Sequence, residues 1–441
     1  MKRTFKTIFS GLLSLAISSA NAGSSDILSL YKHAENYDAE IFSARSAYLA
    51  EREGESIALA AVFPTLNASV GSSRTNSNSE LKGDDTYKTD TYSVSISQPL
   101  LNLPSWYNLS SAENNSYRAE AEYLSAQQNL ILNVSTAYFN VLREQENLKS
   151  DKSQEAAVKR QYEQAKEQFE VGLIAITDVH EAQATFDSSK TNRIRSEGNL
   201  IIAKENLSRI TGQVISDLST LKPNFPIVMD DNYTSEQWVE SALELNLDIK
   251  IAHFALKKLN ADMKSNKAQH LPRLNLDANY GVNKFDNFTT SVAGFSNPEE
   301  EQSSISINLD IPLYSGGATQ ARVRQARHLV EQARHNLSST QRKAQISART
   351  EYLNLKTNIQ TIESLGQNIV SRKSALEATK EGYNVGTRNI VEVLDAERNY
   401  FTSLRDHAIA RFDFIESSLR IKQAAGILNR KDLEVLNAWL N

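Results

Sequence analysis

Two carboxylates, Glu392 and Asp395, stand three residues apart in a helix-forming stretch, so they share one helical face. Side chains of that kind attract cations, although on an isolated helix such a pair is simply a solvated surface. Little else in the chain could do chemistry. There is no cysteine, which removes disulfides, Fe–S clusters, thiolate zinc sites, a Cys nucleophile and a lipid anchor on an N-terminal Cys. The seven histidines (His33, His180, His253, His270, His328, His335 and His407) do not fall at ligand spacing. No GxxxxGK phosphate loop, HExxH helix or Ser/His/Asp constellation stands out. The residues therefore point to no catalysis, no metal and no cofactor. The balance of 48 basic to 53 acidic residues, net −5, argues against a nucleic-acid partner held by charge.

The elements that must position these residues are legible from the prolines. They stand at 64, 99, 104, 223, 226, 272, 298 and 312, leaving two proline-free tracts, 105–222 and 313–441. Both tracts are rich in Ala, Glu, Gln, Leu, Lys and Arg, the good helix formers. In the second, Tyr352, Leu355, Ile359, Ile362, Ile369, Leu376 and Tyr383 form a heptad seam, with Gly366, Lys373 and Lys380 as weak members. A helix over 105–168 would be about 95 Å long at roughly 1.5 Å per residue, too long to bury its stripe without partner helices. Around the other prolines the pattern changes to period two. Leu66, Ala68 and Val70 alternate with polar residues, as do Tyr92, Val94 and Ile96, then Leu274 to Val282, then Ile305 to Ile311. These predict strands at about 65–75, 90–99, 273–283 and 303–312, in two hairpins with polar loops. Each could cross a bilayer as a tilted strand of about 9–11 residues, though a half-buried soluble sheet alternates in the same way.

At the N-terminus, Lys2, Arg3 and Lys6 precede an apolar run from Ile8 to Ile17 and then Ala20-Asn21-Ala22. This reads as a secretory signal peptide over residues 1–22, the alternative being a buried N-terminal helix. No later segment approaches 18 uninterrupted apolar residues, and the mean hydropathy of −0.44 excludes a polytopic helical membrane protein.

The chain also repeats itself. At an offset of about 214 residues, Phe169-Glu170-Val171-Gly172 lies over Tyr383-Asn384-Val385-Gly386, and Ile176, Asp178, Val179 and Ala182 over Ile390, Glu392, Val393 and Ala396. Gly212 meets Gly426 at the same offset. The expected organisation is a first repeat over 23–222, a linker or equatorial region over 223–247, a second repeat over 248–430 and an equatorial tail over 431–441. Helical hairpins would turn near 171–177 and 385–389. Four strands cannot close a barrel, and an open edge in lipid leaves backbone groups unpaired. Two copies would give eight strands around a filled interior, and three would give twelve around a lumen. The Ser, Asn and Asp residues of the polar face favour three.

With these residues in place, the sequence resembles the TolC family of outer-membrane channels over essentially the whole mature chain. The resemblance is carried by Thr136-Ala-Tyr-Phe-Asn-Val-Leu142, Val171-Gly-Leu-Ile-Ala-Ile-Thr-Asp-Val179, Leu271-Pro-Arg-Leu-Asn-Leu276, Ile311-Pro-Leu-Tyr-Ser-Gly-Gly317 and the run from Gly382 to Ala396. It implies a mainly α fold with a β-barrel part. Two structural repeats, each with two barrel strands and long coiled-coil helices, would assemble as a homotrimer. Its 12-stranded outer-membrane β-barrel would continue into an α-helical periplasmic barrel. The implied role is a passive exit conduit for drugs, toxic compounds and type I secreted proteins, with an iris-like gate at its periplasmic end. The implied partners are a periplasmic adaptor, an inner-membrane transporter of the RND, ABC or MFS class, and outer-membrane lipid in a Gram-negative envelope.

The same resemblance gives roles to particular residues. Gly172 and Gly386 match turns that dock adaptor hairpins. Glu392 and Asp395 match two carboxylate rings that make a cation-selective constriction; the first ring is Asp in the family and Glu here. Thr177, Asp178, Tyr383 and Arg388 match a gating latch, whereas Glu167 and Gln168 stand where the family usually has Gln and Arg. A secreted coiled-coil stalk is the competing reading; it has no need of two hairpins of alternating strands.

Overall fold

The structure is a computed structural model that describes residues 25–79, 83–229, 234–286, 288–290, 294–296 and 298–441. The expected signal peptide lies outside these residues. The chain opens with two helices, α1 (Ile27–Glu35) and α2 (Ala39–Ala60), followed by strands β1 (Thr65–Ser79) and β2 (Gly83–Leu101). A long hairpin of α3 (Leu103–Glu170) and α4 (Ile176–Thr211) completes the first half. Helix α5 (Ser235–Leu245) leads to α6 (Leu247–Ala268), then to β3 (Arg273–Asp286), β4 (Phe288–Thr290), β5 (Gly294–Ser296) and β6 (Glu299–Asp310). A second long hairpin, α7 (Ala318–Asn384) with α8 (Ile390–Ala424), precedes the terminal helix α9 (Arg430–Ala438).

α3 and α7 contain 68 and 67 residues, so each is roughly 100 Å long at about 1.5 Å per residue. Pro104 opens α3, where its missing N–H costs nothing. α3 packs on α2, α4, α6 and α8, while α7 packs on α5, α6 and α8. Of the heptad seam, Leu355, Ile362 and Leu376 are buried, while Tyr352 and Ile359 pack against the main core. In that core Tyr138, Phe139, Leu207, Ile415, Leu419 and Leu433 are fully buried. The C-terminal tail closes over it: Leu440 pairs with Leu221, and Lys222 N–H donates to the Trp439 carbonyl at 2.9 Å. Burial pushes the Tyr138 phenol up, and its hydroxyl donates to the Ser219 carbonyl at 2.6 Å.

The strands form one antiparallel sheet in the order β1-β2-β3-β6, with β4 and β5 as a separate small pair. The register places Leu66 opposite Ile96, Ala68 opposite Val94 and Val70 opposite Tyr92. β3 continues the row, with Ala278 between Ile96 and Ile305, so one face of the sheet is apolar across all four strands. The other face is polar and hydrogen-bonded: Ser97 donates to Asp277 at 2.6 Å and Asn308 donates to the same carboxylate at 2.8 Å. The strands run beyond their expected ends, to Ser79 in β1, from Gly83 in β2, to Asp286 in β3 and from Glu299 in β6. Polar side chains there hide the strand from its hydropathy pattern, but backbone pairing does not depend on side-chain polarity.

Candidate functional site: the tip of the helical hairpins

Both long hairpins end in the same turn. Gly172 and Gly386 have φ of 76° and 78°, the left-handed conformation that lets a helix stop. Gly172 N–H donates to the Phe169 carbonyl and Leu173 N–H to that of Gln168; Gly386 and Thr387 repeat this with Tyr383 and Gly382. No atom lies within 4 Å of a Cβ built on either glycine, so each turn presents open backbone. Val171, Leu173 and Val385 stand exposed beside them.

The first turn of α8 carries the two carboxylates. Asn389 caps it: the Asn389 side chain accepts from Glu392 N–H at 2.9 Å, and Glu392 Oε1 reaches back towards Asn389 N–H. A longer acid suits that reciprocal box, because the side chain must span a full turn. The other oxygen, Glu392 Oε2, accepts from Arg388 Nη1 at 2.5 Å. The Arg388 guanidinium holds the Glu392 carboxyl below the ordinary carboxylate range, against a smaller opposing effect of burial. Asp395, one turn on, accepts from Arg398 at 2.9 Å. Each carboxylate is thus paired with an arginine of the same helical hairpin.

The residues matched to the latch come together only in part. Tyr383, at the end of α7, donates to Gln168 Oε1 of α3 at 2.7 Å, and burial raises its pKa with help from the Asp178 charge. Asp178, Tyr383 and Gln168 therefore form one neighbourhood across the two hairpins. Thr177 is exposed in the first turn of α4. Arg388 engages Glu392 rather than Thr177 or Asp178, and it folds across Gly382, where an added Cβ would lie 2.7 Å from Arg388 Cγ. Gln168 occupies the position in the first repeat that Gly382 occupies in the second. One position makes room for an arginine; the other supplies the acceptor for a tyrosine.

Sequence reasoning missed two features here. Beneath the turns, Val158, Ala165, Ala182, Ile390 and Leu394 form a separate small core joined by Tyr162, Ile174, Phe186 and Tyr383. It ties the α3–α4 hairpin to the α7–α8 hairpin at the tip. Its signal was faint, because the residues come from four distant segments and two are alanines. The second is Arg398, whose helical spacing of three from Asp395 was visible in the sequence but was not read as a pair. Among the described residues no group of three or more His, Asp or Glu could hold a metal ion, and no helix is long and apolar enough to cross a membrane.

The comparisons with known proteins agree with this geometry. The outer membrane efflux protein family matches residues 30–213 and 238–427. Outer membrane protein TolC of Vibrio cholerae serotype O1 is 35% identical over 432 residues, covering 98% of this chain and 96% of that protein. The alkaline protease secretion protein AprF of Pseudomonas aeruginosa is 26% identical, covering 99% and 92%. The fold is also that of the Campylobacter jejuni CmeC outer membrane channel, with a TM-score of 0.79 at 18% identity over 94% of this chain and 90% of that one. Long paired helices, a four-stranded sheet with one apolar face and family matches in both halves lead to one conclusion: the chain belongs to the outer membrane efflux protein family of TolC-like channels, non-enzymatic proteins of the outer membrane with a large periplasmic part.

Proposed function

We propose that three copies of this chain close a 12-stranded barrel and continue it as a helical tube, forming a passive exit conduit gated at the hairpin tips. The observation that supports this best is the sheet. β1 and β6 are its two edges, and its apolar face is exposed, with Val70 at 78% and Ile305 at 80%. A lone sheet of this kind would leave edge N–H and C=O groups in lipid, at several kcal/mol each. Pairing β6 of one copy with β1 of the next removes both edges at once. The repeats 23–222 and 248–430, the linker 223–247 and the tail 431–441 are then one third of the tube.

At the tip, Gly172 and Gly386 with their exposed apolar neighbours form the docking surface for a periplasmic adaptor. An RND, ABC or MFS transporter of the inner membrane supplies the energy. Glu392 and Asp395 line the constriction, and Thr177, Asp178, Tyr383 and Arg388 form the latch, joined here by Gln168. Exported cargo includes drugs and toxic compounds and, by likeness to the protease secretion protein, polypeptides of the type I route. Native mass spectrometry of the detergent-extracted protein tests the assembly: a threefold mass and discrete channels in planar bilayers are expected. A monomeric or dimeric mass, or bilayers that stay silent, would overturn the reading.

A further inference from the structure

Glu397 is the most deeply buried charged residue described, at 1% exposure, and it lies on the buried stripe of α8 below Ile390, Val393 and Leu394. Its Oε1 is 2.5 Å from Lys380 Nζ of α7, and its Oε2 has no hydrogen-bond partner among the described residues. Lys380 falls between Leu376 and Tyr383 in the α7 heptad seam, where an apolar residue is expected. The lysine stem therefore spans the seam while its ammonium meets a carboxylate that has left water. At the same positions of the first repeat stand Lys166 and Gln183, and both are exposed. A lysine on a buried glutamate stands at these positions only in the hairpin that carries Glu392 and Asp395, and the Lys380 side chain itself is 39% exposed.

Taking a carboxylate out of water is costly, so such a pair adds little stability over a well-packed apolar contact. What it adds is discrimination. An apolar seam tolerates a slide of one seam step, since one apolar side chain can replace the next against the same hole. A buried Glu397 cannot, because the slide would set its charge against Leu376 or Tyr383. A single polar seam position that fixes register in coiled coils acts on the same principle. We propose that the Lys380–Glu397 ion pair is a register pin: it fixes α7 against α8 so that the tip moves as one rigid hairpin. The pin thereby sets the height of Glu392 and Asp395 relative to Tyr383 and Arg388. Lys380 and Glu397 are positioning residues, and the inference rests on the gate reading above.

The test uses the full channel in planar bilayers. Lys380→Met and the apolar double variant Lys380→Met/Glu397→Leu are compared with the conservative Lys380→Arg, alongside thermal dissociation of the assembly. Both the single and the double variant should show several conductance levels in place of one resting level, with mean conductance raised at least twofold. The double variant, which leaves no charge unpaired, should retain wild-type heat resistance, and Lys380→Arg should retain the single level. A wild-type trace from the double variant would overturn the pin, as would a disordered trace from Lys380→Arg in an assembly of normal heat resistance. Tyr383→Phe/Arg388→Ser serves as the control: if it opens the channel while the pair variants do not, the pin alone fails. If it changes nothing, the gate reading fails.

Discussion

At the residue scale, Glu392 has three engagements, as helix cap, partner of Arg388 and wall of the proposed constriction. Replacing Glu392 and Asp395 together by Ala is expected to weaken cation selectivity, seen as a shift of reversal potential towards zero in asymmetric KCl; an unchanged potential would remove both from the constriction. pH provides a second probe. Arg388 lowers the folded pKa of Glu392, so the pair's contribution is present above the ordinary carboxylate pKa and is lost as pH falls through the lowered value. Acidification below the ordinary carboxylate range should therefore free Arg388 and raise resting conductance, and Glu392→Gln should begin in the raised state and respond less to acid. Tyr383→Phe with Arg388→Ser is expected to raise single-channel conductance, since it removes the Gln168 and Glu392 contacts together. These residue types were legible in the sequence, and so was the family match that gave them roles. Their partners were less so: Gln168 stood out only as a departure from the family, and nothing local shows that Tyr383 would reach it from 215 residues away.

At the scale of elements, the tip is held by packing as well as polar contacts. Ile390 and Leu394 are 1% and 4% exposed against Val158, Ala165 and Ala182, and burying such side chains contributes about 1.5–3 kcal/mol each. Leu394→Ala should loosen the two hairpins by roughly 2–4 kcal/mol, read as higher resting conductance with the residues of the proposed latch unchanged. The turns at the opposite ends of α4 and α8 are stricter. Gly212 and Gly426 have φ of 68° and 76°, and a Cβ would lie 2.6 Å from Tyr37 and 2.3 Å from the Leu245 carbonyl oxygen. Gly426→Ala is expected to cost more than 2 kcal/mol in thermal unfolding, because left-handed strain adds to a backbone clash. By contrast Gly172→Ala and Gly386→Ala meet only strain, and should mainly affect binding at the tip. Helix lengths, turn positions and the heptad seam were readable because each is a local periodicity. Lys380 was readable only as a flaw in that seam; its meaning required the position of Glu397 on the facing helix.

For the whole molecule, the decisive feature is the sheet's two-faced surface. Ile305→Lys, on the apolar face, is expected to lower membrane assembly by about 2–4 kcal/mol, seen as loss of the heat-modifiable oligomer on gels. Ser306→Lys, one residue on and on the opposite face, should leave assembly intact and shift ion selectivity instead. Equal damage from both would show that the faces do not differ as described. By itself the sequence determined the elements: where proline ends a helix, where period two replaces the heptad, and where glycine turns the chain. Those properties depend on neighbours within a few residues, so they survive reading in one dimension. The tertiary structure decided the pairings: the strand order β1-β2-β3-β6, the small core shared by two hairpins, the arginine on each carboxylate and the contact of Lys380 with the buried Glu397. Each brings together residues from separate segments or separate turns of the helix, and their energies depend on distance and burial, which a sequence of residue types does not contain.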